Sequence, residues 1–393
     1  MSLAAALSLY SGCGIIVAIH AAVLVGVVRT RLRDRRRRAT AEQWPHRDEA
    51  VSVIVAAMNE EALLPRLLDS LAAQTASDFQ VVLIDDRSTD GTSQAMDRFR
   101  EQWPSRTVVV SNTKDPVGYN GKQQALDLGV QAASGSLLLF TDADCQLPPA
   151  WVQQLASHFG DSDVAAAFGP LAVRAGARLL ERFQALDQPL MHQYNLGTAG
   201  LGLPTGCFGN NLAIRAGVLA EIGGFRALGF TPTEDAALLA AVHRGGHQVR
   251  ATADEATMIV TDPQPTWLGF LQQHIRWNSG ALSAGDAVGR WSYRLIVSFL
   301  VASVAALPFA VRWPALLLMP ATSLVTIGAL GGMAAGALRR GMTASGDRPQ
   351  AAALLLRVFG YTLLFIFFYA LVTVLAAVGV RPRWKGTLLQ RRR

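Results

Sequence analysis

Cysteine is scarce in this chain. Cys13, Cys145 and Cys207 are the three among 393 residues, odd in number and far apart. Neither a disulfide framework nor a zinc spacing results, and a reducing compartment is expected for the bulk of the protein. Histidine is sparse too: His192, His243, His247 and His274 are scattered, which argues against a histidine metal site. No basic patch interleaves with aromatic residues, which argues against nucleic acid as a partner. Net positive charge is missing from most of the chain. Of the net +7, residues 29–38 carry +6 and residues 381–393 another +6, so the remainder is about −5. Both basic segments follow apolar runs, and membrane headgroups explain them better than nucleic acid does. No basic stretch precedes the apolar residues 3–28, so a membrane anchor fits better than a signal peptide.

Apolar residues are what the sequence has in plenty, at 51%. That is high for a soluble enzyme and low for a protein buried wholly in membrane, so a mixture is expected. Residues 3–28 are long enough to span about 30 Å of hydrocarbon. By the positive-inside rule the arginines that follow are cytoplasmic and Met1 is outside. Three more apolar blocks lie at 295–311, 313–338 and 354–380, with Arg312, Trp313 and Pro314 reading as a tight turn and 339–349 as a cytoplasmic loop. Three spans that start in the cytosol leave the basic tail outside, against the same rule. Either one block is interfacial or re-entrant, or the tail breaks the rule.

Between these regions short apolar runs alternate with helical stretches. "VSVIVAA", "FQVVLIDD", "TVVVSN" and "GSLLLFTDAD" read as strands; "EEALLPRLLDSLAAQ", "GTSQAMDRFREQW" and "GKQQALDLGVQAA" read as helices. Strand and helix alternating with short connections imply an α/β fold with a mostly parallel sheet. Ligands of such sheets bind beyond the carboxyl ends of the strands. Asn59, Asp85, Asp86, Asp142 and Asp144 all fall at those ends.

Asp142 and Asp144 are like charges one residue apart, and they repel unless a cation relieves them. A hard divalent ion such as Mg²⁺ or Mn²⁺, shared with phosphate oxygens, is one such cation. The pair alone is a weak motif, since solvated acids at a strand end look the same. "DDRSTDGT" invites comparison with a phosphohydrolase, but that chemistry needs an aspartate where Ser88 stands; Asp90 and Gly91 are read as helix capping. "TPTEDAALL" places Glu234 and Asp235 at a helix start, where a capping box with Thr231 or Thr233 is the structural alternative. In "LQQHIRWNSG", Gln273 and Arg276 are three apart and share a helical face. That helix could equally lie among headgroups with Arg276 and Trp277 as anchors.

The ordered set "AAMNEEALLPRLLDSLAAQ", "LIDDRSTDGT", "GKQQALDLG", "LLLFTDADC", "TEDAAL" and "QHIRW" resembles the family 2 glycosyltransferases, over roughly residues 51–277. The resemblance is to membrane-anchored members that use nucleotide-diphospho-sugars. "RWKG" at 383–386 and the flanking spans resemble enzymes that glycosylate ceramides, carotenoids or other lipids. The resemblance implies a GT-A fold, inversion at the anomeric carbon, and a UDP-linked donor. It implies that Asp86 accepts from the base with Ala57, Asn59 and Glu60 in the same pocket, and that Lys122 sits near the nucleotide or phosphates. Asp142 is implied at the ribose or sugar, and Asp144 as ligand of Mg²⁺ or Mn²⁺. Asp235 is implied as general base, and Arg276, Gln273 and Trp277 on the diphosphate, sugar or acceptor. "TGCFGNNLAIR" resembles the acceptor-side loop.

The expected organisation is an N-terminal transmembrane helix (1–28), a basic cytoplasmic linker (29–49), a catalytic domain that includes an interfacial Q-x-x-R-W helix (50–290), about three C-terminal spans (291–380) and a basic tail (381–393). The expected location is the cell inner membrane, multi-pass, with the catalytic domain cytoplasmic. A processive polysaccharide synthase also carries Q-x-x-R-W, but about four apolar blocks leave little for a polymer channel. A non-catalytic binding protein that kept a nucleotide-sugar pocket is the other alternative.

Overall fold

The computed structural model describes residues 2–39, 49–282, 287–341, 351–381, 383–384 and 387–388. In chain order the elements are α1 (Leu3–Ala39), β1 (Val51–Ala57), α2 (Leu64–Ala72), β2 (Gln80–Asp86), α3 (Thr92–Gln102), β3 (Thr107–Asn112), α4 (Gly121–Ala132), β4 (Leu137–Asp142), α5 (Trp151–Ala156), β5 (Val164–Phe168), β6 (Leu171–Val173), α6 (Leu179–Gly200), β7 (Leu212–Arg215), α7 (Ala216–Glu221), α8 (Gly224–Ala227), α9 (Glu234–Arg244), β8 (Gln248–Ala251), β9 (Ile259–Thr261), α10 (Trp267–Leu282), α11 (Ala287–Ala306), α12 (Leu318–Gly341), α13 (Ala351–Ala377), and the short pair β10 (Arg383–Trp384) and β11 (Thr387–Leu388).

Seven strands form the main sheet in the order β3-β2-β1-β4-β7-β5-β8. All pair in parallel except β7, which runs antiparallel to both β4 and β5. β1 has four β-branched residues among its seven and is almost wholly buried, as a central parallel strand with covered faces must be. Ile54 lies opposite Val82 on one side and Phe140 on the other. The four strands expected from the sequence are β1 to β4, and the three expected helices are α2 to α4.

Two expectations change. The arginine run is not a linker separate from the anchor: α1 is one helix from Leu3 to Ala39, so residues 29–39 continue it. Nor do all its arginines face headgroups. Arg33 donates to the Ala251 carbonyl at 2.8 Å, Arg38 pairs with Asp254, and Arg37 donates to Ser157. Buried Asp34 accepts from the Ala253 amide at 2.8 Å and the Thr252 hydroxyl at 3.1 Å. The C-terminal end of α1 is thereby stitched to β8 and the loop after it.

The second change is α6, a 22-residue helix that no sequence pattern suggested. It lies against α1 at backbone distance. A Cβ on Gly26 would collide with the Gly197 carbonyl, and one on Gly200 would collide with that of Gly26. Small residues that let backbones approach are a common device for joining apolar helices.

Among the described residues four stretches are long and apolar enough to cross a membrane: 3–38, 287–311, 314–336 and 357–377. The last is the inner one, with 56% of its most apolar window buried against 28–33% for the others. Of the "RWKG" motif, Lys385 and Gly386, like most of the basic tail, lie outside the described residues.

Candidate active site

The carboxyl ends of β1, β2 and β4 bring the acidic residues to one edge of the sheet, as the strand pattern requires. Asp142 closes β4, and Asp144 lies two residues on, half-buried. Burial and the neighbouring Asp142 carboxylate raise the Asp144 pKa above its ordinary value, while the Thr261 hydroxyl, 3.0 Å away, donates to it and offsets part of the rise. This centre is short of positive charge.

Lys122 supplies some. Its Nζ lies 2.8 Å from Asp142 and 3.1 Å from Glu234. Burial alone would lower its pKa, but Asp142 and Glu234 outweigh it and the ammonium is held protonated. The contact follows from local structure. Asn120 and Gln123 form a reciprocal capping box at the start of α4, with bonds of 2.8 and 3.0 Å. Asn120 Nδ2 also donates to the Thr231 carbonyl at 2.7 Å, and Gln123 Nε2 to that of Gly229 at 2.8 Å. The cap therefore grips the loop that leads into α9, which puts the first residue of α9, Glu234, against the second of α4.

The threonine caps considered for α9 are not made: Thr233, at its N-cap, has no side-chain capping bond. Glu234 instead faces Lys122, and its pKa is lowered by Lys122 and Arg276 together despite burial, the largest single influence. Asp235 accepts from the Gly209 amide at 3.0 Å and the Ala236 amide at 2.8 Å. Burial first, then Glu234, raise its pKa.

Arg276 donates to the Pro232 carbonyl at 3.0 Å from α10. Trp277 and Gln273 share its cavity. Their helix is anchored from within by His274, whose Nε2 is 3.0 Å from the fully buried Asp187 of α6. Tyr369 of α13 donates to Asp187 at 3.2 Å. Asp187, His274, Glu234 and Thr261 were not expected as contributors. Only the proximity of Glu234 to Asp235, and of His274 to Arg276, could have signalled them.

These groups line one cavity of about 470 Å³, which holds Lys122, Asp142, Asp144, Glu234, Asp235, Gln273, Arg276 and Trp277. Its other walls come from apolar helices: Ile19 and Val23 of α1, Val297 and Leu300 of α11, Phe365 of α13. The residues expected around the base lie elsewhere on the edge. Asn59 and Glu60 border a smaller cleft with Glu61 and Asp90. Ala57 is buried in the sheet. Asp86 is also buried, and its carboxylate accepts from Arg87 at 2.9 and 3.0 Å and from Asn112 at 2.7 Å, so a base must share it with protein donors. Asn59 and Arg87 have φ of 54° and 60°, left-handed values that non-glycine residues adopt at a cost of ~1 kcal/mol or more and keep when the surroundings demand it. Asn59 Oδ1 accepts from the Thr89 amide at 2.8 Å, tying the loops after β1 and β2 together.

A nucleotide-binding-type sheet with its acids at the carboxyl edge, and a lysine and an arginine beside them, defines a transferase of the GT-A fold class. The family model for glycosyl transferase family 2 matches residues 52–223 of this chain. A β-monoglucosyldiacylglycerol synthase of Synechocystis is 26% identical over 365 residues, 85% of this chain and 73% of that protein. An uncharacterized glycosyltransferase of Nostoc is 32% identical over 114 residues, and the match covers 29% of this chain and 34% of that protein, about a third of its length. A solved mannosyltransferase of Pyrobaculum calidifontis, in complex with GDP-Man and Mn²⁺, shares the fold at 22% identity and a TM-score of 0.52, over 94% of this chain and 98% of that one.

Proposed function

We propose that the protein is a membrane-bound inverting glycosyltransferase that moves a sugar from a nucleoside-diphospho-sugar, with UDP as the expected carrier, to a hydroxyl of a membrane lipid. One observation carries this reading: the carboxylate cluster and the Q-x-x-R-W residues open into the same cavity as walls from α1, α11 and α13. The similarity to a glucosyldiacylglycerol synthase over most of both chains supports a lipid acceptor.

Asp235 takes the proton of the acceptor hydroxyl as that oxygen attacks the anomeric carbon. The bond from that carbon to the diphosphate breaks, and its electron pair leaves with the diphosphate. A carboxyl whose pKa is raised by burial and by Glu234 is a better base for this step than a solvated one. Arg276 keeps one donor on Pro232 and offers others of its five to the leaving diphosphate. Gln273 and Trp277 border the sugar and acceptor.

Asp144, with Asp142 beside it, fits a hard cation such as Mg²⁺ or Mn²⁺, because the pair is half-buried and oxygen-only, and Asp144 is raised by burial and by the Asp142 carboxylate. Among the described residues no group of three or more His, Cys, Asp or Glu could hold a metal, so diphosphate oxygens would complete its shell. A divalent ion held by Asp144 would supply charge stabilisation to the departing diphosphate. The arginine end of α1 lies on the same side as the catalytic domain, which supports a cytoplasmic domain under the positive-inside rule.

The test is Asp235→Asn, checked for folding and donor binding. Transfer to lipid, followed by mass spectrometry, is expected to fall by about 10²-fold or more. Wild-type transfer would refute Asp235 as the base. A ladder of oligomers in place of a single added sugar would instead favour a polysaccharide synthase.

A further inference from the structure

We propose that the acceptor is an uncharged lipid alcohol, one whose reacting end bears neither a phosphate nor any other anionic group. This rests on the reading of the cavity as the site of sugar transfer to lipid. The argument is a census of charge. Five carboxylates line the cavity: Asp142, Asp144, Glu234, Asp235 and Asp262. The lysine and arginine among its lining residues are Lys122 and Arg276, and both are engaged: Lys122 lies between Asp142 and Glu234, and Arg276 is the group a leaving diphosphate would use. His274 is held by Asp187 at 3.0 Å.

Three further arginines, Arg66, Arg174 and Arg294, stand nearby without lining the cavity. Arg66 and Arg174 each contact Asp262 at 2.9 Å, and Arg66 also donates to the Asp144 carbonyl. Arg294 of α11 donates to the Leu282 carbonyl at 2.9 Å and lies over the Trp291 ring. On the membrane side the polar groups that line the cavity are neutral: Tyr194 and Asn195 of α6, Ser292 and Tyr293 of α11. Hydroxyls and amides of this kind can orient an alcohol. They cannot balance a phosphate, which would lie within reach of several carboxylates with no further cation among the described lining residues. Like charges set against each other in an enclosed site are a strong means of rejecting a wrong partner. An alcohol, unlike a phosphate anion, also needs its proton removed, which is the role given to Asp235.

The full-length protein, in phosphatidylcholine vesicles, is offered nucleotide-sugars with Mg²⁺ or Mn²⁺ and one test lipid at a time. Diacylglycerol, ceramide and a sterol are the neutral alcohols. Phosphatidylglycerol is an alcohol with a charged headgroup, and a polyprenyl phosphate is the phosphate acceptor. Sugar is expected on at least one neutral alcohol about tenfold faster than on either anionic lipid. Ser292→Lys, which sets a cation on the membrane-side wall, is expected to move that ratio toward the anionic lipids. Equal or faster transfer to phosphatidylglycerol or polyprenyl phosphate would overturn the inference while leaving a lipid glycosyltransferase in place. Donor turnover with no sugar on any lipid would overturn the underlying reading, and the inference with it.

Discussion

Lys122 shows how much one residue can settle. Its ammonium is the cation that Asp142 and Glu234 share, and it is protonated because their field outweighs the burial that would otherwise neutralise it. Lys122→Met leaves buried Glu234 and half-buried Asp142 without their shared ammonium, a loss of about 1–3 kcal/mol. Thermal unfolding is expected at a clearly lower temperature, with donor binding weakened, while Lys122→Arg retains part of both. Unchanged melting would show that solvent or an ion already balances these acids. Asp235 offers a second check. Its carboxyl is raised above 3.8, so it stays protonated to a higher pH than an ordinary aspartate and is inactive as a base there. The acid limb of kcat/KM is therefore expected above the ordinary carboxylate value, and Glu234→Gln, which removes one cause of the rise, should move that limb to lower pH. At this scale Asp142, Asp144 and Asp235 were legible because strand and helix ends can be read from local pattern. The partners Glu234 and Thr261 were not, because what joins them to Lys122 and Asp144 is contact across the fold.

Between elements, the junction of α1 and α6 sets the geometry of the cavity. Gly26, Gly197 and Gly200 let the two backbones meet, and Thr30 Oγ1 donates to the Leu196 carbonyl at 3.2 Å across the same contact. Both helices contribute walls: Ile19 and Val23 from α1, Tyr194 and Asn195 from α6. Gly197→Val is expected to force them apart, because the new side chain would meet Val23, backbone included. Overpacking of this kind costs about 1–3 kcal/mol. The expected readout is a lower melting temperature together with slower lipid glycosylation. Donor hydrolysis should be affected less, since the carboxylates lie on β4 and α9 and not on these helices. Loss of both activities in equal measure would show that the junction supports the whole site. The helix itself escaped the sequence pattern for a physical reason. α6 is buried along both polar and apolar residues and carries Pro189 inside it, so no single apolar stripe marks it.

For the whole molecule, buried histidines tie stability to pH. His192 of α6 is enclosed, and burial depresses its pKa to about 4 although the Thr252 carbonyl, 3.0 Å from its ring, favours the charged form. His158 is depressed as well, by burial first and then by Arg37, Arg33 and Arg250. A depressed histidine is neutral in the folded protein while the unfolded chain takes up a proton below about 6.5. Stability therefore falls as pH is lowered through that value, and for His192 the loss continues to about 4. Between pH 6.5 and 5 the His192 share is about 2 kcal/mol. His192→Gln keeps a donor for Thr252 and cannot titrate, so its melting temperature should decline less steeply over that range. A slope equal to wild type would place the acid sensitivity elsewhere.

The sequence by itself determined the α/β class, the order of its first four strands, the apolar spans and the acids at the strand ends. Each of these is written in patterns a few residues to a helix-length long, where period and termination suffice. Tertiary structure decided the rest. It turned arginines of α1 onto β8, inserted α6, paired Lys122 with Glu234 across 112 positions of chain, and opened the carboxylate site toward the apolar helices α1, α11 and α13. Those outcomes depend on which faces pack together and which charges must be neutralised once buried, and no local pattern records that.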